Sequence, residues 1–237
     1  MKLNNNTMIN TKIELEETIQ ELFEPKKKVS RILYFDIETG TAPDYLNFMP
    51  DEFSISKVLK DESKIKEAKR KAKEDFLQKC CLSPITGRII AIGTGDEKSC
   101  SIMHEEIMSE KEMLENFWKM IKEHLGSSYQ NIICGWNIKS FDLPFLCTRS
   151  WKYGIVPEYN IKQRYSDVFI DLTELFSFKY KDSFVSLDTA SRFLGFEGKE
   201  IQVSKHYESI YKVDKEKALK HLENDIILTR QIANIII

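Results

Sequence analysis

Apolar and polar positions alternate between two periods along this chain. Ile32-Leu33-Tyr34-Phe35-Asp36-Ile37-Glu38 is a run of apolar, aromatic and β-branched residues containing two acids and closed by Thr39-Gly40, which predicts a mostly buried strand. Arg88 to Thr94 and Cys100 to His104 predict two more strands joined at Gly95-Asp96, and Asn131 to Trp136 and Val168 to Leu172 a fourth and a fifth. Helical spacing appears elsewhere. Over 57–79 the residues Ile65, Ala68, Ala72 and Phe76 form one stripe. Ser109 with Glu112 is a capping box opening a helix to about Leu125, closed by Gly126. Asp142 to Tyr153 is a helix with Pro144 in its first turn, and Ser186 to Leu194 one ended by Gly195, with Ser186 and Asp188 placed as its cap. The last helix runs from about Asp214 to Ile236, with Ala218, Leu222, Ile226, Thr229 and Ala233 on one side. Residues 43–56 predict an irregular loop, and Glu14 to Phe23 a short amphipathic helix. Three strands in succession favour antiparallel pairing and the later alternation favours parallel crossovers, so the expected fold is α/β with a mixed five-stranded sheet and flanking helices. The expected division is an N-terminal extension, 1–29, and a single domain, 30–237.

Composition narrows the class. The 237 residues are 42% hydrophobic and 30% charged, too apolar for disorder and too polar for a membrane protein. A formal charge of −2 gives no bulk basic character for nucleic acid or anionic membrane. The basic concentration lies in 57–73, where eight basic residues face three acidic ones: either a solvated helix face or a rim for a phosphate backbone. Five cysteines, an odd number without a C-x-x-C pair, disfavour a disulfide framework or zinc site and point to a reducing cytoplasm. The opening residues hold no apolar run of secretory type, and Ile232 to Ile237 is too short to span a bilayer, so no membrane partner is expected.

Three acidic constellations carry the chemistry. Asp36 and Glu38 lie two apart on a buried strand and therefore on one face. Two like charges placed there are costly unless a cation lies between them. The strand itself supplies none, whereas a divalent ion such as Mg²⁺ or Mn²⁺ suits paired carboxylates. Asp214-Lys215-Glu216 has the same spacing, but at a helix start, where an N-cap explains it. Asp142, after the turn that follows Cys134-Gly135-Trp136, is either a helix cap or a carboxylate lifted to the end of a strand, where open α/β sheets place their sites. His221 and Asp225 are one helical turn apart and can address one point, although such a pair also occurs as ordinary surface charge. Asp171 is assigned to structure, and His104, His124 and His206 have no partner motif.

In order along the chain, FDIET (35–39), GWNIKSFDLPFL (135–146) and HLENDIILT (221–229), with weaker echoes in LSPITGRIIAIG (82–93) and SLDTASRFLGFEGK (186–199), resemble the DEDD superfamily of 3′–5′ exonucleases. The likeness is to the proofreading domain of family B DNA polymerases and to related stand-alone exonucleases, and it extends over roughly 30–237. It implies a ribonuclease H-like fold and an exonuclease unit without a polymerase region. It also implies two Mg²⁺ or Mn²⁺ ions on Asp36, Glu38, Asp142 and Asp225. In this resemblance His221 stands where the polymerase-like branch has a tyrosine, four residues before the last Asp. The other branch has a histidine five residues before it. Five residues turn a helix by about 140° and four by about 40°, so His221 takes the tyrosine-type place with an imidazole's basicity. Thr39, Asn137 and Phe141 fall at positions that hold the terminal nucleotides in relatives.

The mechanism so implied is two-metal hydrolysis of a phosphodiester. One ion on Asp36, Glu38 and Asp225 activates water with help from His221, and the other, on Asp36 and through water on Asp142, stabilises the leaving oxygen. The expected substrate is the 3′ end of single-stranded DNA, releasing nucleoside 5′-monophosphates. RNA is an alternative substrate, and a non-catalytic nucleic-acid-binding module on the same fold or a nucleotide phosphohydrolase are alternative functions.

Overall fold

The computed structural model describes residues 31–55, 61–127, 130–157, 168–178, 184–199 and 207–237. The helix expected over 14–23, Lys57, Lys60 and His206 lie outside them. Arg31–Ile237 forms one compact unit. Its strands are β1 (Ile32–Thr41), β2 (Gly87–Gly95), β3 (Cys100–His104), β4 (Ile132–Gly135) and β5 (Phe169–Asp171). They form one sheet in the order β3-β2-β1-β4-β5. β1, β2 and β3 pair antiparallel, and β4 and β5 add in parallel, giving the mixed sheet expected from the order of patterns.

The helices are α1 (Glu62–Lys79), α2 (Glu110–Ser127), α3 (Asp142–Lys152), α4 (Leu172–Phe176), α5 (Leu187–Phe193), α6 (Tyr207–Val213) and α7 (Lys215–Ile236). Three starts follow the sequence closely. The Ser109 hydroxyl accepts the Glu112 N–H while Glu112 accepts the Ser109 N–H. Ser186 accepts the N–H of Thr189 at the head of α5, and Asp214 that of Lys217 at the head of α7. Asp188 is not part of the α5 cap; its carboxylate serves another contact, described below. The stripe on α1 is real, but Ile65, Ala68, Ala72 and Phe76 are only half-buried, and the helix buries no residue fully. The short helices α4 and α6 carry too few turns to show a period, and the sequence did not announce them.

Strand parity divides the core in two. From β1, Leu33, Phe35 and Ile37 join Met113, Leu114 and Phe117 of α2 and Phe145 and Leu146 of α3. Tyr34 faces the other way, into a cluster with Ile226, Leu228 and Ile232 of α7 and with Cys134 and Trp136. Asp36 and Glu38 continue that second face. Opposite them on β2 stand small residues, with Asp36 beside Gly93, Glu38 beside Ala91 and Tyr34 beside Gly95. A Cβ on Gly93 would meet Leu222 at 2.9 Å, and one on Gly95 would meet Ile226 at 2.7 Å. The missing side chains therefore let α7 lie close against the sheet, beside the two acids of β1.

Candidate metal centre

β1 delivers the first two carboxylates and then changes direction. Its register with β2 shifts between Glu38 and Thr39, a bulge of the kind that re-aims side chains beside functional sites. Glu38 is buried and Asp36 half-buried. From the close-packed α7, His221 points its Nε2 to within 3.7 Å of Glu38 Oε1 and 3.6 Å of Asp225 Oδ2.

The third segment arrives through a turn. Asn137 adopts a left-handed conformation (φ 62°), one that asparagine tolerates better than most residues. Asp171, at the end of β5, fixes that turn by accepting the N–H groups of Asn137 and Lys139 at 2.9 Å and of Thr173 at 3.0 Å. Asp171 is thus structural, as the sequence indicated, and its effect is to place Asp142. Asp142 is the first residue of α3 rather than its cap. Its Oδ1 accepts the Ile37 N–H of β1 at 3.0 Å, tying the helix start to the strand between Asp36 and Glu38.

Asp36, Glu38, Asp142, His221 and Asp225 all line one cavity of about 390 Å³. Thr39, Asn137 and Phe141 line it too, with Trp136, Leu82, Phe184, Ser186, Leu187, Asp188 and Lys199. Thr39 Oγ1 is already committed, donating to the Cys81 carbonyl at 2.6 Å. Phe141 is half-buried and packs on Phe145, so it belongs to the core edge and the cavity wall together. Trp136 is mostly core, its Nε1–H donating to the Val185 carbonyl at 3.2 Å. Of the other histidines, His104 pairs with the Tyr211 hydroxyl at 2.9 Å and His124 with the Ile132 carbonyl at 3.0 Å, and neither enters the cavity.

The electrostatics of the cavity are those of an acid cluster short of positive charge. Burial, then Asp142, Asp225 and Glu38, push the Asp36 carboxyl well above the usual range, against the pull of Lys199. Burial and then Asp225 do the same to Glu38, again opposed by Lys199. Burial raises Asp142 to about 7 even though the Ile37 N–H favours its ionised form. His221 moves the other way, because burial, and after it Lys199, outweigh Asp225 and hold it below the ordinary imidazole value. A neutral ring follows at pH 7. Asp225 Oδ1 is buried without a hydrogen-bond partner. Donor atoms of Glu38, His221 and Asp225 lie within 4.8 Å of one another. An orphaned carboxylate oxygen among acids that repel one another, with a neutral imidazole beside them, fits a divalent cation.

Lys199 went unassigned in the sequence, and Asp188 was placed there only as a helix cap. Lys199 Nζ donates to Asp225 Oδ2 at 2.5 Å inside the cavity, and Asp188 accepts the Lys199 N–H at 2.7 Å. The signal available was the cluster's own imbalance: four acids converge, and the one lysine within their motifs, Lys139, is held by Glu174 at 3.1 Å, so the cation must come from elsewhere in the chain.

A family model described as the exonuclease domain of family B DNA polymerases matches residues 1–191. That span includes Asp36, Glu38 and Asp142 and stops short of Lys199, His221 and Asp225. Among solved structures, the chain is similar to the family B DNA polymerase of the hyperthermophilic archaeon Pyrobaculum calidifontis, with a TM-score of 0.56 and 16% identity over 86% of this chain. The match takes in 24% of that polymerase, so the chain spans about a quarter of its length. No match was found among curated proteins. The shared architecture is the ribonuclease H-like one of polymerase exonuclease domains.

Proposed function

Since the chain belongs to the family of exonuclease domains of family B DNA polymerases, we propose that it is a divalent-metal-dependent 3′–5′ exonuclease acting on single-stranded DNA ends. Residues 30–237 form its exonuclease domain, and 1–29 are an extension. The observation that carries the reading is the convergence of Asp36, Glu38, Asp142 and Asp225, from one strand and two helices, on one cavity with a buried unpaired oxygen on Asp225. Asp36, Glu38 and Asp225 would hold one cation and Asp36 with Asp142 a second, Mg²⁺ or Mn²⁺. When bound, these ions neutralise the phosphate and make water nucleophilic near neutral pH.

The chain's own residues do the rest. His221, neutral at pH 7, accepts the proton of the attacking water at Nε2, which lies 3.7 Å from Glu38 Oε1 and 3.6 Å from Asp225 Oδ2. Asp142 is fixed to β1 by the Ile37 N–H, so it keeps its place as the terminal nucleotide enters. Phe141 offers its face to a base, a contact that accepts any sequence. Asn137 borders the terminal nucleotide from the other side of the turn. Thr39, whose hydroxyl is engaged, contributes through its backbone. Among the described residues no helix is long and apolar enough to cross a membrane.

The test uses matched single-stranded DNA and RNA oligonucleotides labelled at the 5′ end, with Mg²⁺ or Mn²⁺. Stepwise shortening of the DNA from its 3′ end, with release of nucleoside 5′-monophosphates, is expected. Faster shortening of the RNA moves the assignment to an exoribonuclease. Tight binding without hydrolysis under any metal or pH leaves only a nucleic-acid-binding module.

A further inference from the structure

Lys199 enters the cavity on a loop whose backbone is pinned to α5. Asp188 accepts the Lys199 N–H at 2.7 Å and also holds Arg192 Nε at 3.1 Å. A Cβ at Gly198 would stand 2.4 Å from both Asp188 Oδ1 and Arg192 Nε, so a larger residue there would displace the side chains that make this anchor. The anchor grips the main chain and leaves the four-carbon lysine stem free to turn. The stem carries the ammonium into the acid cluster, with 17% of its side chain exposed, onto Asp225 Oδ2. Asp225 thus has one oxygen on Lys199 and the other unpaired, and Asp36, Glu38 and Asp142 stand around the same cavity.

One positive charge cannot neutralise four carboxylates, yet it lies where a divalent ion would compete for the same oxygens. We propose that Lys199 is a tethered cation that competes with the divalent ion for Asp225 and thereby sets how tightly the site takes metal. The inference rests on the reading of this cavity as a divalent-metal site. It gives the segment SLDTASRFLGFEGK a physical purpose, since Ser186 starts the helix, Asp188 and Gly198 dock the loop, and Lys199 delivers the charge.

The test is Mn²⁺ binding to the full chain without nucleic acid, by titration calorimetry and by the electron paramagnetic resonance signal of free Mn²⁺, on the wild type and Lys199→Met. Removing the competitor is expected to tighten Mn²⁺ on the order of tenfold and to enlarge the rise in thermal midpoint that Mn²⁺ produces. Should Lys199→Met fail to fold, Lys199→Gln is expected to give the same tightening, while Lys199→Arg, which keeps the charge, binds Mn²⁺ no more tightly than wild type. Unchanged or weaker Mn²⁺ binding in the uncharged variants overturns the proposal. Hydrolysis of a single-stranded oligonucleotide by the wild type, assayed in parallel, separates this from the exonuclease reading. Tightening without hydrolysis keeps Lys199 as competitor and removes the nuclease, and hydrolysis with unaltered affinity does the reverse. If the wild type takes no Mn²⁺, both fall.

Discussion

Two buried ion pairs in this molecule have opposite characters. On the α2–α3 side, Arg149 binds Glu110 through Nε at 2.8 Å and a terminal nitrogen at 2.7 Å. Glu110 also accepts the Ile89 N–H and the Tyr153 hydroxyl, and Arg149 donates to the Pro84 carbonyl. Both carboxylate oxygens of Glu110 are used. On the α7 side, Lys199 reaches one oxygen of Asp225, the other is unpaired, and Asp36, Glu38 and Asp142 crowd the same space with raised pKa values. The first pair is complete and serves as scaffold. The second is deliberately incomplete, and its deficit is one of positive charge. Burial of a carboxylate does not by itself distinguish the two roles. What distinguishes them is whether the hydrogen bonds and charges around it balance.

The comparison is broken most forcefully at the deficient pair. Asp225→Ala or Asp36→Ala is expected to lower mononucleotide release on the order of 10³-fold or more, while in Asp36→Ala the thermal midpoint in chelator stays level or rises, because one like charge has left the cluster. Oligonucleotide shortening and thermal unfolding of each variant check the two halves. The complete pair should behave in the opposite sense. Glu110→Ala strands a buried guanidinium and is expected to cost about 3–5 kcal/mol of stability, read by urea denaturation, with Mn²⁺ affinity of the folded fraction unchanged.

A pH series sharpens the contrast. Asp142 keeps its proton in the fold up to about pH 7, whereas an unfolded aspartate releases it near about 3.9. The stability gained from that proton is fully present below the unfolded value and is lost as pH rises through the folded one. In chelator, stability should therefore fall between about pH 4 and pH 7. Asp142→Asn should reduce the slope, leaving the part due to Asp36 and Glu38, and saturating Mg²⁺ should flatten it. The smallest effect belongs to α1, where Lys64, Lys66 and Lys69 are exposed and Arg70 is already paired with Glu67 and Glu74. Changing the three lysines to glutamine should weaken oligonucleotide binding modestly and lower the slope of log affinity against log salt by up to about 0.7 per lost phosphate contact. An unchanged slope makes α1 a solvated face.

What could be read from the sequence was whatever has a local period or a local conflict. Asp36 and Glu38 stood out because acids at spacing two on an apolar strand conflict with burial, and His221 with Asp225 because four residues make one helical turn. Asp171 was separable from the site, although its hold on the Asn137 turn became apparent only in three dimensions. Relations between distant segments had no such signature. The Asp142 bond to the Ile37 N–H joins residues 105 apart, and the Thr39 hydroxyl is taken by Cys81 from a segment 42 residues away. Lys199 follows a glycine in a polar stretch, where nothing local marks it, and only the gathered acids give it meaning. The fit of α7 against Gly93 and Gly95 was equally hidden, since a glycine in a strand reads as weakness until the helix above it is in place.

The central claim is that the unbalanced acids exist to hold a divalent ion. Anomalous diffraction from crystals soaked in Mn²⁺ with a short oligonucleotide tests it most directly. The account predicts a manganese peak bonded to Asp225 Oδ1, with Glu38 and Asp36 among its other ligands and Lys199 turned away from Asp225. A cavity without manganese, with Lys199 still seated on Asp225 and the oligonucleotide bound elsewhere, would contradict it.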